Sequence, residues 1–470
     1  MVSAGQGGGR SEAGGPRLRI TALATPPASG RTTSRAAAIP VVASWVIAWG
    51  LLGGTPAAAS DPTSIVRGAL DLACAVRSRA DLQSLGNRLV GGRPSARPRM
   101  RTLTWGRRWI YQLPDGDLIL DLLTLRGQLP QIRVQYDGAH GSRPEVVAIV
   151  DHRCALRSAR RLHYDPDGVA EWLEDLDEAL QPNGRREPLN PPVPAHADPG
   201  GLPVALIDTG VNYLLPEIYR RLARDEGGVL LGYDFWDLDE RPFDVHPLRS
   251  VFFPDHHGTT IASIVLAEAP VARLLPYRYP RPDMSRIAAA VEHAATHGTR
   301  IVNLSMASYD REDWTAFEQA AAGHPEILFV VAAGNNDRDI DRRPVYPAAL
   351  PLDNLVVVTA ARSDGRLAPG VNWGPRAVDL MVGTESMRAL GFDGTRARVS
   401  GSSYATARVS ALAACLLAAH PDWSVAELRM RIFALARAPA AAGYVAEGFI
   451  ADPTASSRGA CYNGAPLSGI

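Results

Sequence analysis

Residues Gly401-Ser402-Ser403-Tyr404-Ala405-Thr406-Ala407 lead directly into the apolar, small-residue run Val409 to Ala419. We predict that a buried helix begins here, with Ser403 in its first turn. The unpaired backbone N–H groups at a helix start favour an anion, such as the oxygen that forms when a hydroxyl attacks a carbonyl carbon. Ser403 is therefore either a nucleophile or part of a simple helix cap. The motifs upstream of it provide the evidence that separates the two roles.

After about residue 200 the chain alternates short apolar runs with amphipathic helices, which predicts a parallel sheet covered by helices. Asp208 follows the apolar strand Val204 to Ile207, and open α/β sheets place their chemistry at that end of a strand. His257 opens a later helix, where a capping or surface role is the alternative. The chain order Asp208, His257, Ser403 is one of the arrangements that produce a hydrolytic triad.

Three segments carry a specific resemblance. Ile207 to Val211, His257 to Thr259 and Gly401 to Ala405 match the aspartate, histidine and serine motifs of subtilisin-like serine proteases. Ala332-Ala333-Gly334-Asn335 resembles the family's oxyanion segment, and Ser285 to Ala307 is similar to the helix and strand before its specificity pocket. The resemblance covers residues from about 200 to 450 and implies a subtilisin-like α/β fold and a serine-type endopeptidase.

The resemblance also implies a role for each matching residue. Ser403 would attack a peptide carbonyl, His257 would take and return its proton, and Asp208 would orient the imidazole. Asn335 would donate its side-chain N–H to the oxyanion, although a turn residue is the alternative for an asparagine in Gly-Asn-Asn. The remaining expected contacts with substrate come from Ser305, Met306 and Ala307.

This chain also departs from the family pattern near those motifs. The departures are Thr260, Ser263, Ala307, Ala407 and Arg408. None of these positions transfers a proton in the implied mechanism. They nevertheless motivate an alternative hypothesis, in which the chain is a catalytically silent subtilase-fold protein that binds peptides or a partner. A lipase or esterase is disfavoured because the Gly-x-Ser-x-Gly elbow is missing.

The first 59 residues predict export. Residues 36–54 form an apolar run after an Arg- and Gly-rich start, and Thr55 to Ser60 supplies small residues that a signal peptidase could cut. We interpret 1–59 as a signal peptide with a long amino-terminal region, followed by a periplasmic or extracellular protein without stable membrane insertion. The alternative is a membrane anchor formed by residues 36–54.

Between this segment and the protease-like region, residues 60–182 predict a small α+β domain with an antiparallel sheet. It would close with a helix from Val169 to Leu180. Either it is a propeptide that is removed, or it is a retained module in contact with the protease domain. Residues 183–200 contain five prolines and predict a linker. The predicted protease domain then runs over 201–452, and 453–470 is a tail.

Composition excludes some chemistry. The 470-residue chain has no lysine, which excludes Ser-Lys dyads and P-loops, and its 49 basic and 49 acidic residues give no reason to expect nucleic-acid binding. We expect a polypeptide substrate and no cofactor for the chemistry; structural calcium is possible, but no ligand cluster supports it. Among three possible pairings of the four cysteines, Cys74–Cys154 with Cys415–Cys461 is the most economical, and four unrelated thiols are the alternative.

Overall fold

The structure is a computed structural model of the full chain. It describes residues 61–75, 99–103, 106–123, 131–138, 143–246, 250–281, 283–440, 443–455 and 461. The predicted signal peptide, with its apolar run 36–54, lies outside the described residues, as does most of the tail. The described residues fall within one compact unit, 59–470. The finer domain boundaries given above stay predictions.

The first part of the chain is a helix packed on an antiparallel sheet. Helix α1 (Pro62–Ala75) packs on the sheet, and its Val66 and Leu70 share one apolar core with Leu118 and Leu120, which point to the same face because strand side chains alternate. Each strand pairs with the next in the chain, in the order β1 to β8. The strands are β1 (Arg99–Leu103), β2 (Gly106–Leu113), β3 (Gly116–Leu123), β4 (Gln131–Asp137), β5 (Arg143–Val150), β6 (Leu156–Tyr164), β7 (Ala170–Leu176) and β8 (Pro182–Pro188).

One predicted element in this part is wrong. The helix expected from Val169 to Leu180 is strand β7, which pairs antiparallel with β6 and β8. The spacing of its apolar residues suits a helix, but the sheet offers hydrogen bonds along both edges of the segment. Asp177 then accepts the backbone N–H groups of Ala179 and Gln181 at 2.8 and 2.9 Å, which forms a tight turn into β8. Strand β8 therefore includes the first six residues of the predicted linker.

The two predicted disulfides are present. Cys74 at the end of α1 is bonded to Cys154 in the turn between β5 and β6, with the Cα atoms 6.0 Å apart. Cys415 is bonded to Cys461, with the Cα atoms 4.7 Å apart. The first disulfide joins the N-terminal sheet to its helix, and the second holds Cys461 of the tail in the core of the parallel sheet that follows.

The second part is a parallel sheet, as expected. Its spatial order is β10-β11-β9-β12-β13-β14-β15-β18, and all of its neighbouring strands run parallel. The strands are β9 (Leu202–Asp208), β10 (Tyr233–Asp234), β11 (Ala272–Arg278), β12 (Ile301–Leu304), β13 (Leu328–Ala332), β14 (Leu355–Ala361), β15 (Leu380–Gly383) and β18 (Gly448–Ile450). A separate hairpin consists of β16 (Met387–Leu390) and β17 (Arg396–Val399).

Helices cover both faces of this sheet. Val204 and Leu206 of β9 pack into one apolar core, whereas Ala205 and Ile207 point into the core on the opposite face. This burial on two sides explains why the central strands consist mostly of apolar residues. The helices in this part are α2 (Pro216–Tyr219), α3 (Gly258–Glu268), α4 (Ile287–Thr296), α5 (Thr315–Gly323), α6 (Ser402–Ala419) and α7 (Val425–Phe433).

Two of these helices have starts that the local sequence explains. Helix α6 is the apolar helix after Gly401, and although its length and composition alone would allow it to cross a membrane, most of it is buried in the protein core. Helix α7 begins with a reciprocal cap, in which the Ser424 hydroxyl accepts the Glu427 N–H and the Glu427 carboxylate accepts the Ser424 N–H. It ends at Phe433.

Candidate active site

Asp208 and His257 form a direct hydrogen bond at the carboxyl end of the parallel sheet. Asp208 is the last residue of β9, and His257 immediately precedes α3; the imidazole Nδ1 lies 2.7 Å from the Asp208 Oδ1. The carboxylate is buried, and its Oδ1 also accepts the Thr209 backbone N–H at 2.8 Å. This contact places the Nδ1 proton between the two side chains and leaves Nε2 to act as the base.

Asp244 supports this pair, and the sequence analysis missed it. Its carboxylate is fully buried and accepts the backbone N–H groups of His257 (3.1 Å) and Thr259 (2.8 Å). It also accepts the hydroxyls of Thr209 and Thr259. A carboxylate at the start of α3 satisfies the free N–H groups and complements the helix dipole. The signal that could have revealed it is an acidic residue between Phe243 and Val245, both of which are buried.

The surrounding carboxylates affect the charge of the catalytic candidate. Burial opposes a positive charge on the imidazole, but the negative charges of Asp208, Asp244 and Asp255 outweigh that cost and raise the pKa of His257 above its ordinary value. The imidazole is still about one-third exposed, with 31% of its side-chain surface accessible. It can therefore exchange a proton with a group that enters from solvent.

Ser403 lies in the first turn of α6, directly before a tyrosine whose ring is near His257. The ring of Tyr404, the next residue, has its centroid 6.1 Å from that of His257. The Ser403 hydroxyl donates a long 3.4 Å hydrogen bond to the Ser305 carbonyl; within the described part of the chain no hydrogen bond joins it to the imidazole. A missing hydrogen bond between serine and histidine is compatible with catalysis, because such bonds are often long or poorly aligned until substrate binds.

The glycine before the serine pair is needed for this geometry. Gly401 adopts a φ of 141°, a conformation that side chains disfavour. A Cβ atom at this position would also lie 3.2 Å from the Asn335 Oδ1. The backbone can therefore enter α6 next to Asn335 only with glycine at this position.

Asn335 is held against the start of the serine helix. It follows β13, and its Oδ1 accepts the Ser402 backbone N–H at 2.9 Å and the Ser402 hydroxyl at 3.1 Å. The loop that carries it is fixed by Asn372, whose side chain donates to the Ala333 carbonyl at 2.7 Å and accepts the Asn336 N–H at 3.0 Å. Since the amide oxygen is occupied, the group that Asn335 can offer a ligand is its Nδ2–H.

The predicted substrate segment also reaches this place. Ser305 is buried, donates to the Ser403 carbonyl at 3.2 Å and accepts the Asn303 amide at 3.0 Å. Met306 is half-buried and Ala307 is exposed. Ser305 is thus locked to α6, and Met306 and Ala307 present the accessible surface. Contact of these three residues with substrate stays a prediction.

Two residues that depart from the family pattern, Arg408 and Ser263, form specific polar contacts. Arg408 is buried on α6 and forms ion pairs with Glu268 at 2.7 Å and Asp452 at 2.6 Å. The Ser263 hydroxyl donates to the Thr260 carbonyl at 2.8 Å and accepts the Leu390 N–H at 3.1 Å. These side chains therefore replace the usual residues with polar contacts of their own.

No group of three or more His, Cys, Asp or Glu side chains is placed to hold a metal ion among the residues that the structure describes. The expectation about structural calcium stays open, and so does that of chemistry without a cofactor.

Known proteins resemble about half of this chain. It is 31% identical over 233 residues to a thermophilic serine proteinase of Bacillus sp. (strain AK1), covering 46% of this chain and 52% of that protein. It is 29% identical over 240 residues to halolysin of Haloferax mediterranei, covering 48% and 43%. The chain thus spans about half the length of these relatives. A crystal structure of MycP1 from Mycobacterium smegmatis is 26% identical, with a TM-score of 0.40, covering 55% of this chain and 80% of that one.

The decisive match is to a whole family. The family model described as the subtilase family matches residues 200–449, more than half of the 470-residue chain. This region includes the parallel sheet together with Asp208, His257, Asn335 and Ser403. The chain therefore belongs to the subtilase family.

Proposed function

We propose that this chain is an exported serine endopeptidase that hydrolyses peptide bonds through Asp208, His257 and Ser403. The observation that carries the proposal is the 2.7 Å bond between Asp208 and His257, next to the helix turn that holds Ser403. The relatives support the same chemistry, since the Bacillus protein is named a serine proteinase.

In this mechanism the Ser403 Oγ attacks the carbonyl carbon of a peptide bond while the His257 Nε2 accepts the hydroxyl proton. The Asp208 carboxylate stabilises the imidazolium that forms. The Asn335 Nδ2–H and the Ser403 backbone N–H bind the developing oxyanion. His257 then protonates the leaving amine, and an acyl-enzyme remains at Ser403. Water, deprotonated by His257, attacks that ester and releases the second product.

Export and the fate of the N-terminal domain belong to the same proposal. Two disulfides suit an oxidising compartment, and one relative is named a minor extracellular protease of Bacillus subtilis. Residues 1–59 would be removed as a signal peptide. Residues 60–182 would then be either a propeptide or a retained module, which sequencing the amino terminus of mature protein distinguishes: a start near residue 200 would contradict retention.

The proposal is tested with a fluorophosphonate probe, which reacts only with a serine that its base has activated and which requires no knowledge of the substrate. Signal-free wild-type protein should become labelled, and the Ser403→Ala variant should not. Labelling of both proteins at the same rate would place the reactive group elsewhere.

A catalytically silent, peptide-binding subtilase is the second candidate. The 3.4 Å hydrogen bond from the Ser403 hydroxyl to the Ser305 carbonyl favours it, because it directs the proton away from His257. Absence of labelling in wild-type protein, even after the chain is cut within residues 189–200, would make this the leading function.

A further inference from the structure

The segment that leads to His257 packs against the N-terminal sheet. Phe252 is completely buried, although it belongs to the protease region, and it packs against Val147, Leu162 and Leu173 of strands β5, β6 and β7. The guanidinium of Arg160 on β6 donates to the Phe252 carbonyl at 3.0 Å. The sheet therefore holds this segment by an apolar side chain and by its backbone.

The N-terminal sheet also contacts His256, the residue directly before His257. Glu187 on β8 places its Oε1 3.1 Å from the His256 Nε2. The other oxygen of that carboxylate pairs with Arg160 at 3.0 Å, and Arg160 also pairs with Asp175 at 2.9 Å. Glu187 is consequently fixed in place before it binds His256.

His256 in turn contacts residues near the start of α3. Its Nδ1 faces the Asp244 carbonyl, and its ring lies flat on Phe392, with the centroids 3.6 Å apart and the planes at 6°. Both ring nitrogens face oxygen acceptors, so a doubly protonated imidazolium satisfies both contacts. Burial opposes that charge, but Glu187 and Asp244 raise the pKa of His256 above its ordinary value.

Asp244 is the link between the two histidines. Its carbonyl binds the His256 ring, while its carboxylate accepts the backbone N–H of His257 at 3.1 Å. A shift of His256 would therefore move both the peptide bond it shares with His257 and the residue that caps α3.

We propose that Glu187 is a positioning residue for the catalytic base, acting through His256, so that the N-terminal sheet completes the active site. This inference rests on the proposed function. The proposal separates two kinds of N-terminal domain. Removal of a domain that only inhibits would raise activity, whereas loss of the Glu187–His256 contact would lower the reactivity of Ser403.

The test compares two full-length variants that each remove one Glu–His pair. Glu187→Gln breaks the pair with His256. Glu174→Gln is the matched control, because Glu174 binds His163 at 3.0 Å, and His163 lies flat on Trp172 with centroids 3.6 Å apart and planes at 6°. That pair lies within the N-terminal sheet.

We expect Glu187→Gln to lower the second-order rate of fluorophosphonate labelling by on the order of 10-fold, less than the roughly 10²-fold loss that a 1 Å misplacement can cause. Glu187→Asp should recover part of the rate, and Glu174→Gln should label like wild type. Equal rates for Glu187→Gln and Glu174→Gln, whether both normal or both lowered, would overturn the proposal. If Glu187→Gln does not fold, Glu187→Asp and His256→Asn provide the same comparison.

A second measurement separates this proposal from the function on which it rests. The downfield proton resonance of the His257 Nδ1–H, observed by NMR, reports the geometry of the Asp208 bond whether or not Ser403 reacts. If wild-type protein fails to label, the proposed function fails, but a shift of this resonance in Glu187→Gln alone still supports positioning. An unchanged resonance would overturn it.

Discussion

The two sheets of this protein bury their side chains in different ways. In the N-terminal sheet, Leu118 and Leu120 share a core with α1 while Ile119 between them points to the other side, and strands pair antiparallel in chain order. In the parallel sheet, Val204 to Ile207 is buried on both faces. The comparison shows that the strands of the antiparallel sheet are hard to predict one by one, because each depends on pairing with its neighbours. The parallel sheet carries sequence motifs at its strand ends, and these motifs identify the fold directly.

The largest expected effect comes from matched aspartates in the two sheets. Asp208→Asn should lower turnover by about 10⁴-fold, because an amide favours the wrong imidazole tautomer. Asp121→Asn removes an equally buried carboxylate, which binds Arg108 at 2.7 and 2.8 Å. It should cost about 1 to 3 kcal/mol of stability and leave labelling of Ser403 unchanged at low temperature. Labelling rates measure the reactivity of Ser403, and thermal unfolding measures the stability of each variant. A normal labelling rate in Asp208→Asn would contradict the proposed triad.

Asn335 gives the next largest effect. Asn335→Ala should reduce turnover by about 10²- to 10³-fold with KM little changed, the loss found for an oxyanion asparagine in subtilisin. Asn336→Ala, at the next position of the same loop, is the control and should remain active. Steady-state kinetics on a peptide substrate would reveal the difference, and an equal loss in both variants would indicate general damage to the loop.

Core truncations ask whether the two sheets unfold together. Leu118→Ala in β3 and Leu206→Ala in β9 each remove a fully buried side chain and should each cost about 2 to 5 kcal/mol. Because their cores are separate clusters, we expect Leu118→Ala to lower a transition of the N-terminal sheet and Leu206→Ala one of the parallel sheet. Scanning calorimetry would detect this. Identical single transitions in both variants would mean that the sheets form one cooperative unit.

The smallest expected effect is a shift in pH dependence. In the proposed mechanism the neutral His257 imidazole is the base, so activity should fall as pH decreases through its raised pKa, above the ordinary value of 6.5. Asp244→Asn removes one of the charges that raise it, so the acid limb of the kcat/KM profile should move to lower pH. Stability changes in the opposite sense: the contribution of protonated His257 is present below pH 6.5 and is lost as pH rises through the folded-state pKa. An acid limb that does not move would exclude Asp244 as a contributor.

The sequence was sufficient for several features of the fold and the candidate site. The apolar run of β9 with Asp208 at its end predicted the parallel sheet, and the glycine and serines at 401–403 predicted the buried helix α6. These features are readable because each depends on local chain properties: burial on both strand faces, the free N–H groups at a helix start and the conformational freedom of Gly401. The triad of Asp208, His257 and Ser403 stays a prediction.

Only the tertiary structure decided the features that depend on distant partners. The segment from Ala170 to Leu176 became a strand because β6 and β8 offered hydrogen bonds on both sides, a stabilisation that no local spacing reveals. Asp244 became part of the site because folding buried it among the donors at the start of α3. Glu187 and His256 lie 69 positions apart in the chain, and their contact exists only because the N-terminal sheet docks on Phe252. A sequence specifies which groups are available, but electrostatic and packing energies depend on distance and burial, which are established only when the chain has folded.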